Sequence, residues 1–244
     1  ARAVSMGVKV SDKSIQAILD DIDNIDLLFD ATSAEDALHN WKLLKDTKIQ
    51  IIDLTPARIA GICVPSINID EVLNCQNINM ITCGGQASIP MAYTLCQNHH
   101  NIEYIEVITN VASPGAGPAT RANIDEYLDT TEVALKQLTK VPNAKVVLNM
   151  NPAIPYCNMQ VTISANITNP NMELITTEMN KMVEKMKTFV PGYSIVVPPT
   201  YENGVFMVMI KVVGLGDYLP TYAGNLDIIN CAAIAVAEKI SINN

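Results

Sequence analysis

The sequence predicts an α/β fold in two parts, the first built on a parallel sheet and the second of α+β type. Short apolar runs at residues 25–31, 49–54 and 78–81 alternate with helical or turn segments, which is typical of parallel strands joined by crossovers. Later segments, such as residues 102–112 and 159–167, alternate apolar and polar residues, as strands with one buried face do. We therefore assign residues 1–85 to the remaining part of a Rossmann-type domain and residues 86–220 to an α+β domain.

The first part is predicted to open with a helix at residues 13–23, for which Asp12 is a candidate N-cap. Ser33 can cap a helix over residues 34–45 or lie in a ligand-binding loop at the carboxyl end of a strand, and the two roles are compatible. Pro56 lacks an N–H and ends the strand at residues 49–54. We expect residues 63–68 to be extended and residues 69–73 to form a helical turn.

The second part is predicted to contain a mixed or antiparallel sheet. A helix at residues 88–98 precedes the strand at 102–112, and a Gly- and Pro-rich loop at 113–119 leads into a long helix at 120–138. The Asn203-Gly204 pair is a strong hairpin signal between strands at 193–197 and 205–213. The remaining predicted elements are strands at 144–150 and 159–167 and helices at 172–189 and 223–240.

Composition excludes several classes of protein. The chain of 244 residues is 49% hydrophobic, which fits a globular protein with a sizeable core. Its net charge of −9 argues against a nucleic-acid partner, which would favour a basic face. No apolar run approaches the roughly 18–20 residues of a membrane span, and the first residues lack the apolar segment of a signal peptide. We expect a cytoplasmic protein.

Cysteine and histidine usage favours neither disulfides nor a metal site. The six cysteines form no C-x-x-C pair, so we expect them to be reduced. The three histidines do not lie at ligand spacing with cysteines, and no metal is expected.

Cys83 is the candidate nucleophile. It follows the apolar run at residues 78–81 and lies at a predicted strand-to-helix turn, where Gly84 and Gly85 permit a sharp bend and expose their amides. A helix N-terminus favours the thiolate, so the pKa of Cys83 is expected to fall below its usual value. A buried core cysteine beside a tight turn remains the alternative. Gln86 either orients an oxyanion held by these amides or is a polar residue at a helix start.

Several motifs resemble one family in order and approximate spacing. The sequence Thr82-Cys83-Gly84-Gly85-Gln86 resembles the nucleophile motif of the acylating acetaldehyde dehydrogenases. Residues 29–34 and 52–57 resemble the late strands of that family's nucleotide-binding domain, and residues 115–126 and 222–228 resemble two of its cofactor motifs. The resemblance covers nearly the whole chain. It implies that residues 86–220 form a catalytic and dimerisation domain, and that the C-terminal segment 221–244 returns to the nucleotide-binding domain.

The resemblance also implies an activity. Family members convert acetaldehyde, CoA and NAD+ to acetyl-CoA and NADH in aromatic hydrocarbon catabolism, commonly beside a 4-hydroxy-2-oxovalerate aldolase, and form homodimers. It assigns the nucleophile to Cys83. It assigns cofactor binding to Gly115, Ala116, Gly117, Pro118, Ala119, Thr120, Arg121, Ala122, Asn123 and Asn225.

Two of these residues have open alternatives. Arg121 can pair with a phosphate or with CoA, or can be a solvated helix residue. Asn225 can bind the nicotinamide carboxamide or can cap a helix.

Three departures from the family pattern matter. No G-x-G-x-x-G occurs, although the family opens with such a phosphate-binding turn, so we expect an N-terminally truncated chain. Gly115 and Ala119 stand where the family usually has Ser and Gly. Gln160 and Val161 stand where many members carry Arg and Asp, which leaves the catalytic acid or base unassigned.

The enzyme hypothesis has two rivals. One is a truncated, catalytically impaired fragment that binds NAD+ weakly and acts only as an aldolase-docking module. The other is a related semialdehyde dehydrogenase, although those enzymes generally need a histidine base near the thiol, and no histidine lies close to Cys83 in the sequence.

Overall fold

The computed structural model describes residues 2–243, apart from the side chain of Ala119. Residues 1 and 244, which end two of the predicted ranges, lie outside the described residues. The helices are α1 (Arg2–Ser5), α2 (Gln16–Leu19), α3 (Ala34–Leu44), α4 (Pro65–Val72), α5 (Cys83–Asn98), α6 (Pro118–Ala122), α7 (Ile124–Thr139), α8 (Met172–Lys187) and α9 (Gly224–Asn243). The strands are β1 (Leu27–Asp30), β2 (Gln50–Asp53), β3 (Gly61–Ile62), β4 (Asn77–Asn79), β5 (Tyr104–Ala112), β6 (Asn143–Asn151), β7 (Met159–Asn166), β8 (Tyr193–Glu202) and β9 (Val205–Val212).

The first four strands form a parallel sheet in the order β1-β2-β4-β3. Ile52 and Ile78, on its two central strands, are fully buried. They share a core cluster with Ala232 and Val236 of α9, so the C-terminal helix packs against this sheet. The carboxyl ends of β1, β2 and β4 therefore open toward the start of α9, the edge at which parallel sheets bind ligands.

The last five strands form a mixed sheet in the order β6-β5-β7-β9-β8. β5 and β6 are parallel, and the other pairings are antiparallel. Alternate residues such as Val161, Ile163 and Ile210 are buried in the largest core cluster, together with apolar residues of α5, α7 and α8. This parallel sheet followed by a mixed sheet confirms the predicted fold class.

Local chemistry explains why some predicted elements are confirmed and others are wrong. Ser33 caps α3 as predicted, since its side chain accepts from the Asp36 N–H at 3.1 Å. The helix predicted at residues 13–23 is wrong in extent, because Ser14 has a left-handed φ of 52° and α2 begins only at Gln16. The N-cap position of α2 is Ile15, so the predicted cap at Asp12 is wrong.

Two further segments that contain proline differ from expectation. The extended segment predicted at residues 63–68 is wrong, since α4 begins at Pro65, where the missing N–H costs no helical hydrogen bond. Residues 198–202 were expected to connect two strands, but β8 runs on through both prolines to Glu202 with shifts in its register. The turn at Asn203-Gly204 is confirmed, with φ of 52° and 84°.

Within residues 2–243 no helix has the length and apolar character needed to cross a membrane.

Candidate active site

Cys83 is the first residue of α5, five positions earlier than the helix start predicted from sequence. The helix begins here because the Thr82 side chain caps it, accepting from the Gly85 N–H at 2.9 Å. Gly84 and Gly85 are thus helical and do not form the turn that the sequence predicted. The amide of Gly85 is engaged by the cap, which leaves the amides of Cys83 and Gly84 closest to the sulfur.

The sulfur of Cys83 is in a mostly apolar environment. The residue is half-buried, and dense packing around its sulfur raises the pKa of the thiol above the ordinary value. The Tyr127 hydroxyl and the two nearby amides act in the opposite direction but are outweighed. The expected lowering of the pKa of Cys83 is therefore wrong for the resting site.

Ile81, two residues before Cys83, has a strained backbone. Its φ is 65°, a left-handed conformation that a β-branched residue rarely adopts, and its side chain is fully buried. The Asn79 side chain holds this conformation by accepting from the Ile81 N–H at 3.0 Å. A Cβ on Gly85 would lie 2.8 Å from Ile81 Cγ2, so the glycine makes room for this side chain.

Beside Cys83 lies a cavity of about 210 Å³. Loops after β1 and β2, the first turn of α5, and the starts of α7 and α9 surround it. Among the described residues that line it, only Cys83 and Tyr127 have titratable side chains. The lining residues are Ala31, Thr32, Leu54, Thr55, Pro56, Ile81, Thr82, Cys83, Thr120, Asn123, Tyr127, Asn225, Leu226, Ile229 and Asn230.

Two matching turns shape one wall of this cavity. Asp30 accepts from the N–H and hydroxyl of Thr32, at 3.1 and 2.5 Å. Asp53 accepts from the same groups of Thr55, at 2.8 and 2.6 Å, and from the Asn79 amide at 3.0 Å. Burial raises the pKa of Asp53 to about 6. The turns direct the threonines toward the cavity and keep both carboxylates behind them.

The predicted cofactor residues are only partly brought to the cavity. Thr120, Asn123 and Asn225 line it. Gly115 contacts it indirectly, because its carbonyl oxygen accepts from Asn225 Nδ2 at 3.0 Å. The side chain of Ala119 lies outside the described residues. Five others are not among the residues that line the cavity: Ala116, Gly117, Pro118, Arg121 and Ala122.

The side chains of Arg121 and Asn123 form hydrogen bonds with other residues of the chain. The Arg121 guanidinium donates to the carbonyl oxygens of Ala116 and Ser113 and to the Ser113 hydroxyl, each at 2.9 Å. Asn123 Oδ1 accepts from the Ala34 N–H at 3.4 Å, which connects the start of α7 to the start of α3. Arg121 therefore braces the loop that begins at Ser113.

Other candidates from the sequence are structural. Gln86 lies in the first turn of α5, as its structural alternative expected, and is fully buried. It donates to the carbonyl oxygens of Cys63 and Met80, at 2.7 and 2.8 Å, and is not among the residues that line the cavity. Val161 is buried and pairs with Thr109, so it supplies no acid or base. No histidine is among the described residues that line the cavity. Within residues 2–243 no cluster of side chains could hold a metal ion.

Tyr127 is the residue that sequence reasoning missed. Its hydroxyl oxygen lies 3.7 Å from Cys83 Sγ, although the two residues are 44 positions apart. A Cβ added to Gly84 would lie 2.1 Å from this oxygen. A long helix was predicted at residues 120–138, but no local signal placed any of its residues against Cys83.

Comparison with solved structures defines the class of fold. Aspartate semialdehyde dehydrogenase II of Vibrio cholerae, solved as a complex with ASA, superposes with a TM-score of 0.62 at 12% identity, covering 90% of this chain and 78% of that one. A probable aspartate-semialdehyde dehydrogenase from Pseudomonas aeruginosa gives 0.60 at 10% identity, covering 89% and 80%. The chain has the two-domain fold of the semialdehyde dehydrogenases.

Sequence comparison identifies the family. The family model described as "Prokaryotic acetaldehyde dehydrogenase, dimerisation" matches residues 83–220. The acetaldehyde dehydrogenase of Pectobacterium atrosepticum is 53% identical over 242 residues, covering 98% of this chain and 82% of the relative. That of Spirochaeta aurantia is 46% identical over 238 residues, covering 98% and 80%. The chain belongs to the acetaldehyde dehydrogenase family and is an oxidoreductase of the aldehyde dehydrogenase class.

Proposed function

We propose that this protein is an acylating acetaldehyde dehydrogenase, which converts acetaldehyde, CoA and NAD+ to acetyl-CoA and NADH through a thioester on Cys83. The observation that carries the proposal is the position of Cys83 in the first turn of α5, facing a small cavity. The family of the relatives supports the choice of aldehyde.

The chain's own residues account for the covalent steps. The Cys83 thiol loses its proton to water, and the thiolate attacks the carbonyl carbon of the aldehyde to form a thiohemiacetal. The amides of Cys83 and Gly84, at the positive end of α5, stabilise the negative charge that develops. After oxidation to the thioester, the thiolate of CoA attacks the acetyl carbon and Cys83 leaves as a thiolate.

The cofactor proposal rests on Asn225. This residue lines the cavity and is 2% exposed, and its buried Oδ1 has no hydrogen-bond partner among the described residues. A carboxamide N–H, such as that of nicotinamide, would satisfy this oxygen. When bound, NAD+ supplies the hydride acceptor for the oxidation. The remaining residues of the Gly115–Asn123 segment, including the predicted Arg121 contact with phosphate or CoA, stay part of the proposal.

The cavity favours a small uncharged aldehyde over the phosphorylated or carboxylate substrates of a semialdehyde dehydrogenase. Binding such anions calls for a cationic side chain, and none is among the described residues that line the cavity. The Arg121 guanidinium bonds to its own loop. The solved semialdehyde dehydrogenases share the fold at 10–12% identity, which supports no shared substrate.

We also propose a homodimer formed by residues 86–220, located in the cytoplasm and docking a 4-hydroxy-2-oxovalerate aldolase. The dimer is supported by the matched dimerisation model and by the mixed sheet. The helices cover one face of this sheet, so the alternate residues, including Met207, Met209 and the 39% exposed Val196, face away from them. This face also carries polar residues such as Thr162 and Ser164, and such a mixture of apolar and polar side chains suits a partner subunit.

Acetyl transfer from acetyl-CoA tests the chemistry without a nicotinamide cofactor. The acetyl group should pass to the Cys83 sulfur with release of one free CoA thiol, and mass spectrometry should find the acetylated peptide. Cys83→Ser should abolish this rapid transfer, whereas Cys231→Ser, at another half-buried free cysteine, should not. Acetylation elsewhere, or none at Cys83, would refute the proposed function.

A further inference from the structure

Tyr127 places a phenol hydroxyl against the proposed nucleophile. The residue lies in the first turn of α7 and is 5% exposed, within the largest core cluster. In the resting site the Cys83 thiol donates to the Tyr127 hydroxyl oxygen at 3.7 Å, a distance suited to a hydrogen bond involving sulfur. A buried aromatic ring of this kind is ordinarily a packing residue, but its one polar atom here meets a reactive sulfur.

The surroundings hold this hydroxyl in place. Thr82 Oγ1 and Thr131 Oγ1 are 2.7 Å apart, and the Thr131 hydroxyl donates to the Tyr127 carbonyl oxygen at 2.7 Å. This chain of contacts fixes α7 to the cap of α5, one turn from the phenol. Gly84 completes the arrangement, because any side chain there would strike the phenol oxygen.

The Thr109 hydroxyl also lies close to the Tyr127 hydroxyl. Thr109 Oγ1 would lie 2.8 Å from a Cβ on Gly84, so it is beside the phenol. It is close enough to lower the pKa of Tyr127, but in the resting site it lacks the geometry of a formed hydrogen bond. The phenol O–H of Tyr127 therefore has two polar neighbours, Thr109 Oγ1 on β5 and Cys83 Sγ on α5.

Other titratable groups are turned away from this pair. The sequence of α5 contains no charged residue. The side chains of Asp30 and Asp53 are engaged by Thr32 and Thr55, behind the cavity wall. Asp227, on α9, accepts from the Leu215 N–H. The charged residues of α7 near its start are Asp125, Glu126 and Asp129, all exposed.

We propose that Tyr127 is a catalytic residue whose hydroxyl donates a hydrogen bond to the Cys83 thiolate and so sets the fraction of reactive sulfur. When the thiol ionises, the S–H donor is lost, and the phenol must turn its own O–H to the sulfur to keep the contact. The phenol retains its proton throughout, because burial and the neighbouring Cys83 raise its pKa well above the ordinary value. The inference rests on the proposed role of Cys83 as nucleophile.

The pH dependence of Cys83 alkylation tests this assignment. Iodoacetamide reacts with the thiolate, and peptide mass spectrometry follows Cys83 separately from the other cysteines. Tyr127→Phe removes only the hydroxyl and should raise the apparent pKa of Cys83 by about one unit, which is about tenfold less thiolate at a given pH. Tyr193→Phe is the matched control, since its buried hydroxyl donates to the Ala87 carbonyl oxygen on the same helix at 2.7 Å.

The outcomes distinguish a Tyr127 that donates a hydrogen bond to Cys83 from one that only packs against it. An unshifted titration in Tyr127→Phe, or an equal shift in Tyr193→Phe, would overturn the assignment. If Tyr127→Phe does not fold, replacement of tyrosine by 3-fluorotyrosine keeps the shape and strengthens the donor, and should lower the apparent pKa of Cys83. Alkylation needs neither aldehyde, CoA nor NAD+. A shifted titration without acetyl transfer would therefore support the hydrogen bond and refute the proposed function.

Discussion

The side-chain amide of Asn225 donates to the carbonyl oxygen of Gly115 at 3.0 Å, joining residues 110 positions apart in the chain. Because Nδ2 is committed to this bond, the orientation of the amide group is set, and Oδ1 is buried without a hydrogen-bond partner among the described residues. The same contact makes position 115 tight, since a Cβ there would lie 3.0 Å from Oδ1 and the Asn225 side chain would have to shift slightly. Asn225 thus holds the backbone at Gly115 in place and also lines the cavity.

Asn225→Ala should weaken both folding and cofactor binding. The substitution leaves the Gly115 carbonyl without its donor, and we expect the free energy of unfolding to fall by about 1–3 kcal/mol. NAD+ binding, followed by calorimetry, should weaken as well. Asn230→Ala is the control, since this exposed residue lines the cavity on the same helix. Equal losses in both variants would contradict the assigned role of Asn225.

Gly84→Ala should be costly for a steric reason. The added Cβ would lie 2.1 Å from the Tyr127 hydroxyl, so α5 or the phenol must move, and overpacking of this kind costs about 1–3 kcal/mol. Acetylation of Cys83 should be lost with it. Combining the change with Tyr127→Phe should recover part of the stability, as measured by chemical denaturation. Gly117→Ala, with open space around its Cβ, should be nearly neutral.

At Ile81, replacement by glycine should be less destabilising than replacement by alanine, which is the reverse of the usual order of stability. Both replacements lose a fully buried side chain and should be destabilising by about 2–5 kcal/mol. At φ 65°, however, an L-residue costs about 1–2 kcal/mol, so Ile81→Gly should be more stable than Ile81→Ala by about 1 kcal/mol. At Ile78, which is in β4 and equally buried, alanine should be the more stable replacement. The same order at both positions would argue against strain at Ile81.

Asp53 should make folding stability fall as the pH rises. Its folded pKa of about 6 lies above the ordinary 3.8, so the folded state holds the proton more tightly than the unfolded state. The stabilisation is complete below pH 3.8 and is lost as the pH rises through about 6, a change of about 3 kcal/mol. Denaturation between pH 4 and 7 should show this slope reduced in Asp53→Asn and retained in Asp46→Asn, at an exposed carboxylate. An identical slope in Asp53→Asn would contradict the assignment.

The sequence predicted elements whose signals are local. The Asn203-Gly204 turn and the Ser33 cap depend on a few adjacent residues, and both are found as expected. The start of α5 was misplaced because two consecutive glycines indicate a turn when only the sequence is considered. Thr82 caps the helix, and the space needed by Tyr127 and Ile81 explains both glycines.

The site was only partly predictable for a different reason. Cys83 and Asn225 lie in recognisable motifs and both line the cavity, whereas Tyr127 reaches it through a packing contact between α5 and α7. Burial also changed the electrostatics, since the helix terminus was expected to favour the thiolate and the surrounding packing opposes it. Such effects depend on distances between helices that are remote in sequence.

The hydrogen bonds by which Arg121 braces residues 113–122, the loop that leads into α6 and α6 itself, bear on the entropy of ligand binding. Three hydrogen bonds from one guanidinium order this loop during folding, before any ligand is present. A ligand that contacts the loop would therefore meet a preorganised surface and lose little further conformational freedom there. Hydrogen exchange of the loop amides should accordingly be slow in the free protein and change little on binding.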